Sequence, residues 1–270
     1  RARSVSRGLG DVYKRQVFKN EEVEVSLLKE KTWVFSTWDY TTMYLIEGED
    51  KAVLIDTGTR CADLDKIVGQ ITGKPLEVIV THMHPDHAGC IKYFDKVWMH
   101  RADTVLVPQH AADYQGEFLY MEEGQVFDLG GRKLEVAWMP GHTPGSVVLL
   151  DKANGDCYSG DAFGSGEVWL QCVPMSPIAT FHESCCRMEK LMKEGHIKDI
   201  WCGHYPYLKS SLPLAYIQTM IRISHRLMNG DQEGSEPYSN YFIKMPPTAR
   251  KLAEGRAMIV YDSTNIPEAR

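Results

Sequence analysis

The sequence predicts an α/β sandwich in which two β-sheets face each other and helices cover their outer faces. Short apolar stretches separated by turn residues recur from about Val17 onward, as β-hairpins require. Segments with helical apolar spacing are mixed with them and continue later in the chain. The 270 residues are 43% hydrophobic, which is ample for a buried core, and no low-complexity linker divides them.

Three hairpins are marked by their turn residues. They are "MYLIEGEDKAVLIDTG", turning at residues 48–50, "QVFDLGGRKLEVAWM", turning at Gly130 and Gly131, and "SVVLLDKANGDCYSGD", turning at Asn154 and Gly155. Helical spacing predicts helices over residues 62–72, 88–95, 102–108, 181–194 and 213–229.

The first sixteen residues, "RARSVSRGLGDVYKRQ", show no apolar periodicity, which predicts a disordered tail. Its "GLGDVYKRQ" looks like a translated sequencing adapter, so we interpret residues 1–16 as a non-native tail. Residues 17–270 are then expected to form one catalytic domain.

Composition excludes several classes of function. The net charge is -6 and basic residues are scattered, so no nucleic-acid partner is expected. No apolar run approaches the roughly 18 residues that span a membrane, and no secretion signal opens the chain. The seven cysteines are odd in number and form no CxxC pair, which favours reduced thiols in a cytoplasm. We expect a cytoplasmic protein with a small-molecule substrate, and a homodimer is left open.

The stretch "VTHMHPDHAGC" follows the apolar run "LEVIV" and places three histidines and an aspartate within six positions. Alternate side chains of an extended segment point the same way, so His82 and His84 can face one point. Asp86 and His87 begin the next turn and can face a neighbouring point. This geometry suits two adjacent metal ions.

Three later strand ends offer further ligands: "MPGHTPGS" with His142, "CYSGDAFG" with Asp161 and "DIWCGHYP" with His204. Each alone is a weak signal, because a lone histidine is more often structural. Together with HxHxDH, and in this order, they resemble the metallo-β-lactamase superfamily from about Asp56 in "VLIDTG" through His204. The resemblance implies a four-layer αββα sandwich with the site at its sheet edge.

The resemblance also implies seven metal ligands in two groups that share one bridging carboxylate. They are His82, His84 and His142 on the first metal, Asp86, His87 and His204 on the second, and Asp161 bridging both. Asp56 corresponds to a structural aspartate beneath the metal loop and is not a ligand. We expect two divalent ions, zinc first, although a bridging carboxylate and hydroxide also admit iron or manganese.

The charges of this ligand set favour hydrolysis. Five neutral imidazoles and two carboxylates leave two divalent ions with a residual charge of +2, which a bridging hydroxide reduces to +1. Such a hydroxide is stable near neutral pH, because metal binding lowers the pKa of water to roughly 7. It would attack a carbonyl or phosphoryl group polarised by the metals. Asp86 would orient the hydroxide and pass its proton to the leaving group.

Differences between this sequence and individual families of the superfamily narrow the range of expected activities. Zinc β-lactamases generally lack the bridging aspartate, and flavodiiron proteins have a carboxylate where this chain has His84, so both activities are disfavoured. Glyoxalase II keeps all seven ligands, but its basic glutathione-binding motif has no clear match here. Acyl-homoserine lactonases carry a tyrosine three residues after the bridging aspartate, and this chain has Gly164 there.

These comparisons predict a dinuclear hydrolase of an ester, thioester or lactone. The alternatives are a phosphodiesterase of the same fold and a metal-binding protein without turnover. The segments that flank the ligands contain aromatic residues and no arginine or lysine, which favours a lipophilic carbonyl substrate over an anionic phosphodiester.

Aromatic side chains near the ligands are candidate substrate contacts. These are Trp38, Tyr40, Phe163, Trp169 and Tyr205. Cys202 is interpreted as a buried small hydrophobic residue. The histidines at 100, 110, 182, 196 and 225 match no ligand position and are expected to be structural or on the surface.

Overall fold

The computed structural model of the chain describes residues 16–240 and 244–267. The tail predicted at residues 1–16 lies outside this part, except for Gln16, which begins the first strand. The first sheet has eight strands that lie side by side in chain order: β1 (Gln16–Lys19), β2 (Val23–Lys29), β3 (Thr32–Thr37), β4 (Thr42–Glu47), β5 (Ala52–Ile55), β6 (Leu76–Ile79), β7 (Lys96–His100) and β8 (Glu117–Met121). Strands β1 to β5 pair antiparallel and β5 to β8 pair parallel.

Two further sheets follow along the chain. The second contains β9 (Val126–Asp128), β10 (Lys133–Trp138), β11 (Val147–Asp151), β12 (Asp156–Gly160) and β14 (Asp199–Cys202), in the spatial order β14-β12-β11-β10-β9. The third is smaller, with β13 (Glu167–Trp169), β15 (Glu236–Pro237), β16 (Ala249–Glu254) and β17 (Ala257–Asp262), in the order β13-β17-β16-β15.

The α-helices of the described residues are α1 (Leu64–Gly69), α2 (Pro85–Ala88), α3 (Val107–His110), α4 (Ile178–Lys193), α5 (Tyr205–Leu208) and α6 (Leu214–Met228). Short 3-10 helices cover Ile91–Tyr93, Arg101–Leu106 and Ser263–Asn265. None of the helices in the described ranges is long and apolar enough to cross a membrane.

The three predicted hairpins are confirmed as β4–β5, β9–β10 and β11–β12. The two long helices are also confirmed, with small shifts in their ends. The helix predicted over 88–95 is wrong: α2 begins earlier because Pro85 has a backbone angle suited to the first helical position. The segment 102–108 is a 3-10 helix that continues into α3. The sequence analysis did not predict the β16–β17 hairpin.

Alternation along the central strands places apolar side chains on both faces of each sheet. In β5, Val53 and Ile55 face the second sheet, whereas Ala52 and Leu54 pack with α1. In β11, Val147 and Leu149 lie between the sheets, and the alternate residues Val148 and Leu150 pack under α4 and α6. The result is the predicted order of layers: helix, sheet, sheet, helix.

The strands of the two large sheets end together on one side of the sandwich. Five loops begin there, after β5, β6, β10, β12 and β14. They carry the polar side chains that the sequence marked, in chain order Asp56, the "HMHPDH" segment, His142, Asp161 and His204. The tightly packed sheets therefore hold these loops at one edge.

At the opposite end of β10, Arg132 links the two sheets through a buried ion pair on one side and hydrogen bonds on the other. The Nε of Arg132 donates to the fully buried carboxylate of Asp151 at 2.7 Å. The same guanidinium donates to the Lys31 carbonyl and the Thr32 hydroxyl, both at 3.0 Å and both in the first sheet or its β2–β3 turn. A planar group with several donors is suited to such a link.

We expect Arg132→Met to lower the free energy of unfolding by about 3 kcal/mol, because it leaves the Asp151 carboxylate buried without its cation. Urea unfolding of the metal-replete protein measures the change. Lys133→Met is the matched control, since Lys133 pairs with Asp128 on the surface, where ion pairs contribute little. Equal shifts of the two midpoints would contradict the role given to Arg132.

Candidate metal centre

The three candidate ligands of the first group lie together. His82 and His84 follow β6, and the loop after β10 brings His142 to them, so that one ring nitrogen of each lies within 4.8 Å of the others. The Nδ1 of His84 is 2.9 Å from the Nε2 of His142. The ring of His82 lies 4.9 and 4.8 Å from the other two rings. Three imidazoles therefore face one point.

The second group lies beside the first. It contains Asp86 and His87 from α2 together with Asp161 and His204, again with ligand atoms within 4.8 Å of one another. The Nε2 of His204 is 3.5 Å from the Asp86 carboxylate, and the Nε2 of His87 is 3.6 Å from the same oxygen. Two imidazoles and two carboxylates thus converge.

Asp161 faces both groups. Its Oδ2 lies 3.2 Å from the Nε2 of His204 and 3.5 Å from that of His87, both in the second group. The same oxygen is 3.9 Å from the Nε2 of His142 in the first group. One carboxylate oxygen of Asp161 therefore lies within 3.9 Å of donor atoms from both groups.

The donor atoms are arranged to bind metal ions and not to form hydrogen bonds with one another. The Nε2 atoms of His82 and His87 and the Oδ1 of Asp161 are buried and have no hydrogen-bond partner among the described residues. Buried polar atoms without a partner are costly. The 2.9 Å between His84 and His142 is also close to the roughly 3.3 Å that one tetrahedral zinc ion, at about 2.0–2.1 Å from each nitrogen, would impose. Divalent ions would satisfy these atoms.

Hydrogen bonds on the far side of the rings hold three histidines in place. The Nδ1 of His87 donates to Asp56 at 2.8 Å, and the Nδ1 of His142 donates to the Trp169 carbonyl at 2.7 Å. The Nδ1 of His82 lies 3.2 Å from the hydroxyl of Thr81. Each bond fixes the tautomer that leaves the Nε2 lone pair facing the centre.

The two groups differ in their electrostatics. Burial, with the neighbouring histidine His142, lowers the pKa of His84 to about 3, and burial also lowers the pKa of His82 and His142. Burial opposes protonation of His87 and His204 as well, but the nearby carboxylates outweigh it and raise the pKa of both. The first group is therefore a set of neutral donors, and the second is strongly polarised.

Asp56 has the structural role that the resemblance implied. Its carboxylate accepts the Thr81 N–H at 2.7 Å, the Thr81 hydroxyl at 2.9 Å and the Nδ1 of His87. None of these bonds leaves it free to bind a metal in the centre.

Asp103 supports the loops on the other side of the centre through hydrogen bonds, as Asp56 does on its side. The sequence analysis did not predict this role. Asp103 accepts hydrogen bonds from the Met83 N–H, the Thr143 hydroxyl and the Gly145 N–H. Burial outweighs these bonds and raises the pKa of Asp103 to about 6. Nothing in the spacing of "HRADTVL" marks this aspartate, because its partners are 20 to 42 residues away.

Two aromatic side chains form a wall at the mouth of the centre. The ring of Tyr207, which is 59% exposed, lies 6.0 Å from the ring of His204. Tyr40, 51% exposed, packs on Tyr207 at 5.0 Å. The structure thus brings the predicted Tyr40 to the site together with Tyr207, which the sequence analysis missed. Trp169 reaches it through its carbonyl bond to His142, whereas Trp38 lies on the surface beside Glu22 and Arg60.

Two predicted substrate contacts are wrong. Phe163 is fully buried in the core beneath α6, and Tyr205 is 6% exposed and packs against Trp201 between the sheets. Both are near a ligand in sequence but point to the opposite side of the chain, where apolar burial stabilises them. His110, expected to be structural or on the surface, lies with its ring 5.9 Å from that of His84. Cys202 is buried as predicted.

Comparison with known proteins places these features in context. Residues 36–182 match the family model described as the metallo-beta-lactamase superfamily. Acyl-coenzyme A thioesterase MBLAC2 of Homo sapiens is 25% identical over 210 residues, covering 63% of this chain and 75% of that protein. A hydroxyacylglutathione hydrolase of Francisella philomiragia is 24% identical over 188 residues, covering 68% of this chain and 72% of that protein.

Solved structures show the same fold. A metallo-beta-lactamase from Pontibacter korlensis superimposes with a TM-score of 0.60 at 17% identity, over 76% of this chain and 99% of that one. The protein TTHA1623, solved in a di-iron-bound form, gives a TM-score of 0.53 at 27% identity, over 65% of this chain and 90% of that one.

Gly203 lies against the second group, and a Cβ there would come within 2.5 Å of the His87 ring and 2.6 Å of the Asp161 carboxylate. We expect Gly203→Ala to displace these ligands and to lower metal content by about one ion per chain, measured by elemental analysis. Gly73→Ala is the control, since a Cβ at that position meets nothing within 4 Å. A Gly203→Ala protein with the same metal content as the control would contradict this packing.

Proposed function

The chain belongs to the metallo-beta-lactamase superfamily, and on this basis we propose that it is a metal-dependent hydrolase that cleaves a thioester or a related ester or lactone. The observation that carries the proposal is the convergence of seven donor side chains in two adjacent groups. Relatives named acyl-coenzyme A thioesterase and hydroxyacylglutathione hydrolase both act on thioesters by name, which supports the thioester as the first choice.

We further propose that the centre holds two divalent ions, with zinc first and iron or manganese as alternatives. Seven donors exceed the four that one tetrahedral site uses, and the relative TTHA1623 is described with two irons. Ions bound there would lower the pKa of water to roughly 7 and polarise a substrate carbonyl.

The protein's own groups divide the remaining work. The Asp161 side chain is 14% exposed and lies between the two groups, and its carboxylate would hold them together. The side chain of Asp86 is 35% exposed and lies within 3.6 Å of the Nε2 of His87 and His204, so it alone of the two carboxylates reaches toward the mouth. Asp86 is therefore the group that would orient the attacking water and carry its proton to the leaving group.

A phosphodiesterase is the second candidate, because a metal pair can clamp both oxygens of a phosphoryl transfer. The mouth of the centre supports the carbonyl substrate instead. Its walls are aromatic, and the ligand-bearing segments contain no arginine or lysine to meet a phosphodiester charge.

Asp161→Ala should lose metal from at least one group and about a hundredfold or more of kcat while remaining folded, because the ions would repel each other without the shared carboxylate. Elemental analysis, circular dichroism and turnover of the same preparation measure this. Asp128→Asn, at an exposed position in β9, is the control. Two ions and near-normal turnover in Asp161→Ala would show that the bridging assignment is wrong.

The substrate class is tested with matched aryl thioesters, esters, lactones and bis-aryl phosphodiesters on one metal-loaded preparation. We expect kcat/KM to be at least tenfold higher for the carbonyl substrates, which corresponds to about 1.4 kcal/mol in transition-state stabilisation. A chelator should abolish turnover of all of them. A tenfold preference for the phosphodiester would reverse the two candidates. Tight metal binding without turnover on any member would instead indicate a metal-binding protein.

A further inference from the structure

A carboxylate that the ligand pattern did not single out is joined to the metal centre through Trp169. Glu167 begins β13, and its Oε1 accepts the Trp169 indole N–H at 2.9 Å and the Tyr238 hydroxyl at 3.0 Å. The carbonyl of the same Trp169 accepts the Nδ1 of His142, a candidate ligand. Two neutral donors therefore fix this carboxylate on a strand that also positions the first metal group.

Glu167 also lies within electrostatic range of the opposite wall. Burial and, after it, the negative charge of Glu167 raise the pKa of Tyr207. Tyr207 is the residue whose ring lies 6.0 Å from His204 and against which Tyr40 packs. The charge of Glu167 therefore acts on the Tyr40–Tyr207 wall beside the second group, and its carboxylate is bonded to the residue that holds His142 in the first group.

The hydrogen-bond partners of Glu167 are neutral groups. Within residues 16–240 and 244–267, no lysine or arginine forms an ion pair with it, whereas surface carboxylates such as Glu22 and Glu123 are paired with arginines. Its bonds to an indole and a phenol leave the full negative charge in place. The aromatic faces beside it also attract cations and do not attract anions.

We propose that Glu167 selects substrates by charge, favouring a cationic or neutral group beside the reacting carbonyl and disfavouring a polyanionic carrier such as coenzyme A. That the selected ligand is a substrate rests on the hydrolase function proposed above. The charge selection itself is a property of binding and can be measured without turnover. An unneutralised carboxylate near low-dielectric aromatic walls discriminates charge mainly by repelling the wrong ligand. The carrier thiol of a thioester substrate would then be neutral or an amine.

Small thiols test the binding without any turnover. A thiol is the group that a thioester releases, and soft sulfur ligands bind zinc, which makes such thiols suitable probes. Dissociation constants of 2-mercaptoethanol, cysteamine and 3-mercaptopropionate are measured by calorimetry on the metal-loaded protein at low ionic strength, where charge effects are least screened. The group at the far end from the thiol is neutral in 2-mercaptoethanol, cationic in cysteamine and anionic in 3-mercaptopropionate.

Glu167→Gln keeps an oxygen for the indole N–H but removes the charge. We expect the preference for cysteamine over 3-mercaptopropionate to fall by about tenfold in this variant relative to wild type, and comparing the two proteins cancels the intrinsic difference between the thiols. Glu77→Gln is the matched control, since Glu77 also accepts an indole N–H, from Trp98 at 3.0 Å, but lies on β6 away from the mouth. The proposal would be overturned if the ratio of the cysteamine and 3-mercaptopropionate dissociation constants changed less than twofold in Glu167→Gln. It would also be overturned if this ratio changed as much in Glu77→Gln as in Glu167→Gln.

Turnover separates this proposal from the hydrolase function. With one acyl group carried on coenzyme A or on neutral N-acetylcysteamine, wild type should prefer the neutral thioester, and Glu167→Gln should narrow the gap chiefly through a lower KM for the coenzyme A thioester. If neither thioester is cleaved but the thiol ratio shifts as expected, the hydrolase function fails and the charge selection stands. If both are cleaved and neither ratio responds to Glu167→Gln, the charge selection fails and the hydrolase function stands.

Discussion

The buried carboxylate of Asp56 is the interaction on which the metal centre depends. It lies at the end of β5, where its own N–H donates to the Ile79 carbonyl of the neighbouring strand. It accepts the Nδ1–H of His87 directly and the hydroxyl of Thr81, which in turn faces the Nδ1 of His82. One carboxylate therefore orients a histidine in each metal group, and the packed first sheet fixes its position.

Asp103 completes this support from the other side. It joins the segment around Met83 to the loop that contains Thr143 and Gly145, and so sets the distance between the ligands His84 and His142. These two segments come from different sheets, and their strands alone do not determine how closely the loops approach. Two buried carboxylates with satisfied hydrogen bonds therefore preorganise the donors before any ion binds, which lowers the ordering cost of metal binding.

The centre is asymmetric in charge, and this asymmetry extends to its mouth. Three neutral imidazoles form the first group, whereas the second pairs two imidazoles with two carboxylates. Asp86 is the more exposed of these carboxylates, and Glu167 adds a further carboxylate that is bonded to the Trp169 indole and the Tyr238 hydroxyl. Divalent ions bound to these donors would make the interior positive, so that the reacting group and the rest of a substrate would meet different charges.

The sequence by itself determined the fold class, the hairpins and the HxHxDH donors, because these follow from local patterns, whereas His142, Asp161 and His204 were added by the resemblance to the metallo-β-lactamase superfamily. The period of two in β5 and β11 places their apolar residues on both faces, and "HMHPDH" puts its donors together within one turn. Only the tertiary structure decided which aromatic residues face the mouth. Phe163 and Tyr205 were drawn into the core, while Tyr207 and Glu167 came to the site. Their surroundings come from elements up to about 70 residues apart, such as Glu167 and Tyr238, and that packing has no local period to mark it.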